Sequence, residues 1–189
     1  MNRRKLILSM QITLDGYVAG TNDEADWLLS GEDEWSDLFE DLQQADTFIL
    51  GRKMYPGYSA YWQKVLGNPD SDANELKFAR LAERTPHIVF SKNDFKPDWR
   101  NSTVGHDLTT EIAKLKQGNG KNIIAWGGAN FAASLIELDL VDEFRFEINP
   151  VLLTSGKALF HHLQERKQLH LISSKPLQSG LVVLRYKKS

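Results

Sequence analysis

The sequence predicts a three-layer α/β fold in which a mostly parallel central sheet carries helices on both faces and an antiparallel C-terminal edge. Apolar segments of strand length alternate with segments of helical period through residues 1–150, and the pattern becomes β-rich from residue 151. The chain of 189 residues also lacks internal repeats and low-complexity tracts. We therefore expect one domain that spans residues 1–189.

The first predicted elements surround a turn at Asp15 and Gly16. Residues 5–12 are mostly apolar, which predicts a central strand covered on both faces. Residues 17–19 predict a short strand, and the polar residues 20–30 predict a long loop. The following helix is predicted from apolar side chains at positions i, i+3, i+4 and i+7, which are Trp35, Leu38, Phe39 and Leu42.

The later elements follow the same two periodicities. Ser30 or Asp33 is the expected N-cap of the first helix. Residues 47–50 predict a buried strand closed by Gly51, and the next helix is expected to begin at Arg52. The remaining predicted helices are near residues 76–82, 108–115 and 131–138, and the remaining strands are near residues 87–90, 122–126, 141–148, 169–173 and 181–186.

The composition excludes several classes of function. Formal net charge is −2, from 23 basic and 25 acidic residues, so the chain lacks the positive field that a nucleic-acid partner requires. It contains no cysteine, and its histidines lack the HExxH spacing of a zinc site. No apolar stretch approaches the roughly 18 residues of a membrane span, and the first apolar run stops at Ser9, too early for a signal peptide. We expect a cytoplasmic protein without a metal, nucleic-acid or membrane partner.

The turn after the second buried strand has phosphate-binding chemistry. Gly51 permits a tight turn, and Arg52 and Lys53 bring two cations to the start of a predicted helix, where free amides attract anions. Arginine is also suited to bidentate contact with phosphate. The alternative is a solvated basic helix start, which opposes the helix dipole.

Two further turns share this chemistry. Gly127 and Gly128 separate a predicted strand from a helix, so a pyrophosphate can approach the backbone there; the alternative is a tight strand-to-helix turn. Ser91 and Lys92 end another strand with a hydroxyl and a cation; the alternative is an ordinary polar loop. Because α/β sheets bind ligands at the carboxyl ends of their strands, all three turns are expected at one edge.

Three carboxylates are candidates for contact with a substrate. Asp15 is a candidate to accept from a substrate amide or to position a proton donor, and the alternative is an Asp-Gly turn, which is the commoner meaning of this pair. Glu32 and Asp33 are further candidates, with decoration of a helix start as the alternative.

The combined motifs resemble the C-terminal reductase domain of the bifunctional riboflavin biosynthesis protein RibD, a dihydrofolate-reductase-like family. The resemblance covers nearly the whole chain and is closest to stand-alone bacterial members of the YyaP type. The segments that carry it are residues 9–19, 49–55 and 126–129, followed by residues 149–153 and 156–160.

This resemblance implies a dihydrofolate-reductase-like fold, NADPH bound across the carboxyl ends of the strands, and a homodimer. It assigns the cofactor phosphates to Gly51, Arg52 and Lys53, and the adenosine phosphate to Ser91 and Lys92. It assigns the pyrophosphate to Gly127, Gly128, Ala129 and Asn130. It assigns the nicotinamide end to Ile12, Asp15, Gly16 and Tyr17, and the cover of the substrate to the loop that contains Trp27.

The implied activity is NADPH-dependent reduction of a C=N or C=O bond in a small heterocyclic substrate. A pterin or a pyrimidine fits this description, as does the 5-amino-6-(5-phosphoribosylamino)uracil of riboflavin biosynthesis. Asp15 is the first candidate for a catalytic and substrate contact, with Glu32 or Asp33 second. The residues leave two alternatives open: an NADP(H)-binding sensor or interaction module without catalysis, and a structural dimer that uses none of these turns.

Overall fold

The computed structural model describes residues 3–161 and 163–189. The helices among these residues all fall short of the length and apolar content of a membrane span. The strands are β1 (Leu6–Thr13), β2 (Tyr17–Ala19), β3 (Ala45–Gly51), β4 (His87–Phe90), β5 (Ser102–Gly105), β6 (Asn122–Ala125), β7 (Glu143–Asn149), β8 (Lys157–Ala158), β9 (Leu169–Pro176) and β10 (Val182–Lys188). The helices are α1 (Glu32–Gln43), α2 (Tyr55–Gly67), α3 (Ala73–Arg84), α4 (Leu108–Gln117) and α5 (Ala129–Glu137).

Eight strands form the main sheet in the order β5-β4-β3-β6-β1-β7-β10-β9. The first six in this order pair in parallel, whereas β10 is antiparallel to both β7 and β9. Strands β2 and β8 form a separate antiparallel pair. The predicted fold class, a mostly parallel sheet with an antiparallel C-terminal edge, is confirmed.

Helices cover both faces of the sheet, and alternate residues of β1 supply both interfaces. Leu6 and Leu8 belong to the core that includes Ile112 of α4 and Leu135 of α5. Ile7 faces the opposite side and belongs to the core under α1, α2 and α3. This arrangement explains the mostly apolar sequence of β1, because a strand covered on both faces buries successive side chains.

The connections create a topological switch point between β1 and β6. From β1 the chain passes along α1 on one face and enters the sheet two positions away as β3. From β6 it passes along α5 on the other face and enters two positions away in the opposite direction as β7. Open α/β sheets bind ligands in the crevice outside the carboxyl ends of strands at such a point.

The structure corrects two predicted helix starts. The N-cap of α1 is Gly31, because Glu34 reaches back to accept a 3.3 Å hydrogen bond from its amide. The prediction of Ser30 or Asp33 as the N-cap was wrong. Helix α2 begins at Tyr55, so Arg52 lies in the preceding turn rather than at the helix start.

Candidate functional site at the carboxyl ends of the strands

Backbone hydrogen bonds join the three predicted turns at one edge of the sheet. The amide of Gly51 donates to the carbonyl oxygen of Gly127 over 2.9 Å, which connects the ends of β3 and β6. The next amide, that of Arg52, donates to the carbonyl oxygen of Phe90 over 2.9 Å, directly before Ser91. The expectation that these turns share an edge is therefore met at the level of backbone contacts.

Packing explains two of the glycines in these turns. A Cβ atom on Gly51 would lie 2.7 Å from Cβ of Phe131, and one on Gly127 would lie 2.8 Å from Cε of Met10. Gly127 also has φ of +99°, which disfavours other residues. A Cβ atom on Gly128 would lie 3.6 Å from the Cβ atom of Met54, which is an ordinary van der Waals distance. The first two glycines are thus required by the fold itself.

Cations at this edge are available to an anionic ligand. Arg52, Lys53 and Lys92 are exposed, and none of them has an ion pair with a carboxylate within residues 3–161 and 163–189. The guanidinium carbon of Arg52 lies 4.1 Å from the ring centre of Phe95, a cation–π contact. The hydroxyl of Ser91 donates to the carbonyl oxygen of Asn93 over 2.6 Å, within the turn after β4.

The helix starts at this edge favour anions as well. Helices α2 and α5 have no side-chain cap and no acidic residue in the first turn, whereas α1, α3 and α4 each have acidic residues there. First-turn amides lack intrahelical partners, so those of Ala129 and Asn130 are available donors. Uncapped amides and unpaired cations form a donor set that fits the phosphates of a dinucleotide.

Asp15, which the sequence predicts as a substrate contact, joins the end of β1 to residues 153–154 by hydrogen bonds. Its carboxylate accepts from the Thr13 hydroxyl at 2.5 Å, from the Leu153 amide at 3.2 Å and from the Thr154 amide at 2.8 Å. The hydrogen bond from Thr13, assisted by those two amides, lowers the pKa of Asp15. Asp15 is exposed, but its oxygens already hold the loop after β7.

The other residues predicted for the nicotinamide end lie around this contact. Ile12 is a core residue with 5% exposure. Gly16 has φ of +85°, and its built Cβ would lie 3.7 Å from the Phe160 ring. The Tyr17 hydroxyl donates to the Thr154 carbonyl oxygen over 3.2 Å. Gly16 and Tyr17 therefore lie at the turn after β1, whereas the side chain of Ile12 is directed into the core.

Glu32 and Asp33 both interact with neighbouring segments. Glu32 is exposed and accepts a 2.8 Å hydrogen bond from the Asn74 amide group of α3. Asp33 accepts a 2.6 Å hydrogen bond from the Gln178 backbone amide. Both contacts fit the alternative of a decorated helix start.

Glu34 is a buried carboxyl group of the same helix that the sequence reasoning missed. Its side chain accepts from Gln11 at 3.3 Å, and the residue is 3% exposed. Burial raises the pKa of Glu34 to about 7, and the negative charge of Glu147 adds to the shift. A signal was present, because Glu34 precedes the apolar Leu38 by four residues and therefore shares its helix face.

Two tryptophans have buried indole N–H groups. The Nε1 atoms of Trp27, in the loop of residues 20–30, and of Trp126, at the end of β6, find no acceptor among the described residues. A buried donor without an acceptor is costly, so these groups are suited to a polar ligand atom or a water molecule.

A buried ionic cluster lies between α1 and the sheet. Arg145 of β7 is 1% exposed and pairs with Asp37 at 2.9 Å, Asp41 at 2.9 Å and Glu147 at 2.6 Å. Burial opposes ionisation of Asp37, yet hydrogen bonds from Arg185, Arg145 and Lys175 outweigh it and lower the pKa of Asp37 to about 2. The cluster fixes α1, and thus Glu34, against three strands.

Comparisons with known proteins agree with this geometry. Residues 4–183 match the family model described as the RibD C-terminal domain. The uncharacterized protein YyaP of Bacillus subtilis (strain 168) is 34% identical over 186 residues, which cover 98% of this chain and 96% of that protein.

Solved structures share the fold at low sequence identity. RibD of Acinetobacter baumannii (form 2) has a TM-score of 0.73 at 15% identity, covering 100% of this chain and 59% of that chain. Dihydrofolate reductase from Enterococcus faecalis complexed with NADP(H) has a TM-score of 0.65 at 13% identity, covering 98% of this chain and 96% of that chain. The fold, the match over residues 4–183 and the identity to YyaP lead to one conclusion: the chain belongs to the RibD C-terminal domain family.

Proposed function

We propose that this protein is an NADPH-dependent oxidoreductase that reduces a small pterin- or pyrimidine-like heterocycle. The observation that carries the proposal is the joining of three turns by consecutive amides, those of Gly51 and Arg52. They bring the uncapped start of α5, the hydroxyl of Ser91 and the unpaired cations to one edge beside the switch point. The Enterococcus faecalis relative of the same fold was solved with NADP(H), which supports the choice of cofactor.

Each turn has a role in this proposal. Arg52, Lys53, Ser91 and Lys92 hold the phosphates at the adenosine end. The amides of Ala129 and Asn130 after Gly127 and Gly128 take the pyrophosphate. Bound NADPH supplies a hydride to the substrate ring.

In this proposal the residue that holds a proton for the substrate is Glu34, not Glu32 or Asp33. Because its pKa is about 7, a large fraction of Glu34 carries a proton at neutral pH, as a general acid requires. Asp15 then acts as a positioning residue that holds the loop at residues 153–154. Trp27 and Trp126 offer their indole N–H groups to the heterocycle.

Nucleotide titration tests the cofactor. NADPH at 100 times its Kd is expected to stabilise the protein by about 2.7 kcal/mol, seen as a higher melting temperature. The double variant Arg52→Ala/Lys53→Ala should need at least about 10-fold more NADPH, because each charge-assisted hydrogen bond contributes about 1.5–3 kcal/mol. Lys64→Ala, an exposed change on α2, is the matched control. Absence of any shift at millimolar NADPH would contradict the proposal.

Turnover tests the reductase activity. NADPH oxidation should be detectable with a dihydropterin, with dihydrofolate or with the pyrimidine of riboflavin biosynthesis, and Glu34→Gln should lower its rate. Tight NADPH binding without oxidation of any of these compounds would favour a nucleotide-binding module instead.

A further inference from the structure

A chain of hydrogen bonds connects the end of the loop of residues 20–30 to the buried carboxyl group of α1. The amide of Leu29 donates to Oδ1 of Asn149 over 2.9 Å. Nδ2 of Asn149 donates to Oε1 of Gln11 over 3.0 Å. Nε2 of Gln11 donates to Oε1 of Glu34 over 3.3 Å. Four separate segments of the protein therefore meet in one line of polar groups.

The hydrogen bond from Leu29 to Asn149 fixes the direction in which every hydrogen bond of this series is donated. A backbone N–H can only donate, so the Asn149 atom that faces Leu29 is the carbonyl oxygen. The amide nitrogen of Asn149 must then face Gln11, and the amide nitrogen of Gln11 must face Glu34. Oε1 of Glu34 is consequently the acceptor at the end of this series of hydrogen bonds.

The groups around Glu34 explain why the neutral amide of Gln11 affects its carboxyl group. Asn149 is fully buried. The charged groups that act on Glu34 from β7 are Glu147 and Arg145, but Arg145 is already paired with Glu147, Asp37 and Asp41. Lys175 of β9 is likewise paired with Asp37. Two further groups donate to the Glu34 carboxyl group: the side chain of Ser30, and the amide of Gly31, which reaches Oε2 over a long 3.3 Å.

We infer that Gln11 and Asn149 are positioning residues that hold the Glu34 carboxyl group and link it to the loop of residues 20–30. The inference rests on the proposed role of Glu34 as the proton-holding group. Gln11 acts directly on Oε1, whereas Asn149 acts through Gln11. A change in the position of Leu29 alters the orientation of both amides and hence the protonation of Glu34.

Carboxyl NMR titration of the free protein tests the inference. The resonance of Glu34, assigned with Glu34→Gln, is followed against pH in Gln11→Met, Asn149→Leu and the double variant. Each single variant should raise the pKa of Glu34 by about 0.5–1 unit, as expected for one lost hydrogen bond. The double variant should shift it no further than Gln11→Met alone, because the two residues act through the same bond. Additive shifts, or no shift in either single variant, would overturn the inference.

Asn149→Asp is a second test of the inference, because the aspartate still offers an oxygen to the amide of Leu29. The aspartate presents an oxygen to Gln11, so the Gln11 amide must turn and offer Oε1 to Glu34. Protonation of Glu34 is then favoured, and its pKa should rise by more than in Asn149→Leu. In the Gln11→Met background only the effect of the added charge remains, so the rise should be smaller. An equal rise with and without Gln11 would also overturn the inference.

Asn119→Asp, an exposed change in the loop between α4 and β6, controls for added charge and should leave Glu34 unchanged. These titrations use no nucleotide and no substrate. Failure of NADPH to bind would thus refute the proposed function while leaving the hydrogen-bond chain to be judged by its own result.

Discussion

The amide of Gly51 and the carbonyl oxygen of Gly127 lie 2.9 Å apart, so the turns after β3 and β6 form one backbone unit. Phe131 of α5 packs directly against this unit, because a Cβ on Gly51 would approach its Cβ to 2.7 Å. The proposed site for the cofactor phosphates and the packing of α5 therefore depend on the same glycine.

Gly51→Ala should destabilise the protein by about 1–3 kcal/mol, since the added methyl group overpacks the contact with Phe131. Denaturant unfolding measures this change. Gly57→Ala is the matched control, because no atom lies within 4 Å of its built Cβ and the residue is in α2. It should stabilise the protein by about 0.5–1 kcal/mol. Equal effects of the two substitutions would contradict the packing argument.

The raised pKa of Glu34 predicts a specific dependence of stability on pH. A carboxyl group whose pKa is higher in the folded state binds its proton more tightly there, so its stabilising contribution is complete below its unfolded value of 4.5. That contribution is lost as the pH rises to about 7. The stability of the wild type relative to Glu34→Gln should fall by on the order of 2 kcal/mol across this window.

Denaturant unfolding at a series of pH values measures this difference. Glu40→Gln, an exposed change on the same helix, provides the control and should give a flat difference. A flat difference for Glu34→Gln as well would mean that Glu34 ionises normally in the folded protein.

Arg145→Met should strongly destabilise the fold. The change leaves Asp37, Asp41 and Glu147 without their shared partner beneath α1, and an unpaired buried charge costs about 3–5 kcal/mol. Arg80→Met, an exposed change on α3, should alter the free energy of unfolding by less than about 0.5 kcal/mol. A mild effect of Arg145→Met would show that solvent reaches the three carboxylates.

Asp15→Asn separates a structural role from contact with a substrate. The amide has only one acceptor atom, so it cannot serve the Thr13 hydroxyl and the amides of Leu153 and Thr154 together. Hydrogen exchange at Leu153 and Thr154 should become faster while NADPH affinity stays the same. Asp26→Asn in the exposed loop is the control. Unchanged exchange together with a raised KM for the substrate would instead assign Asp15 to substrate binding.

The turns could be predicted because their signals are local. A glycine directly after an apolar run marks a strand end, as at Gly51 and Gly127. Strand β5 was not predicted, because Ser102–Gly105 has little apolar content and depends on its parallel pairing with β4. Such pairing is a tertiary interaction that the segment's own residues do not encode.

The candidate site was harder to predict for two reasons. It depends on which residues of α1 face the sheet, and on the burial of polar residues of the sheet beneath that helix. One position along a helix is a rotation of about 100°, which separates the half-buried Asp33 from the buried Glu34. In β7, Arg145 and Glu147 alternate with Phe144 and Phe146, a pattern typical of a solvent-facing strand. Helix α1 covers that charged face, so the cluster is buried. The homodimer and the cytoplasmic location stay predictions.

The ionic cluster beneath α1 also has a consequence for attempts to change specificity. Asp37 and Asp41 bind Arg145 of β7 and Arg185 of β10, so α1 cannot slide along the sheet to admit a larger ligand without breaking several buried ion pairs. Directed evolution toward new substrates should therefore accumulate its changes at the exposed positions 21–26 and leave the inner face of α1 untouched.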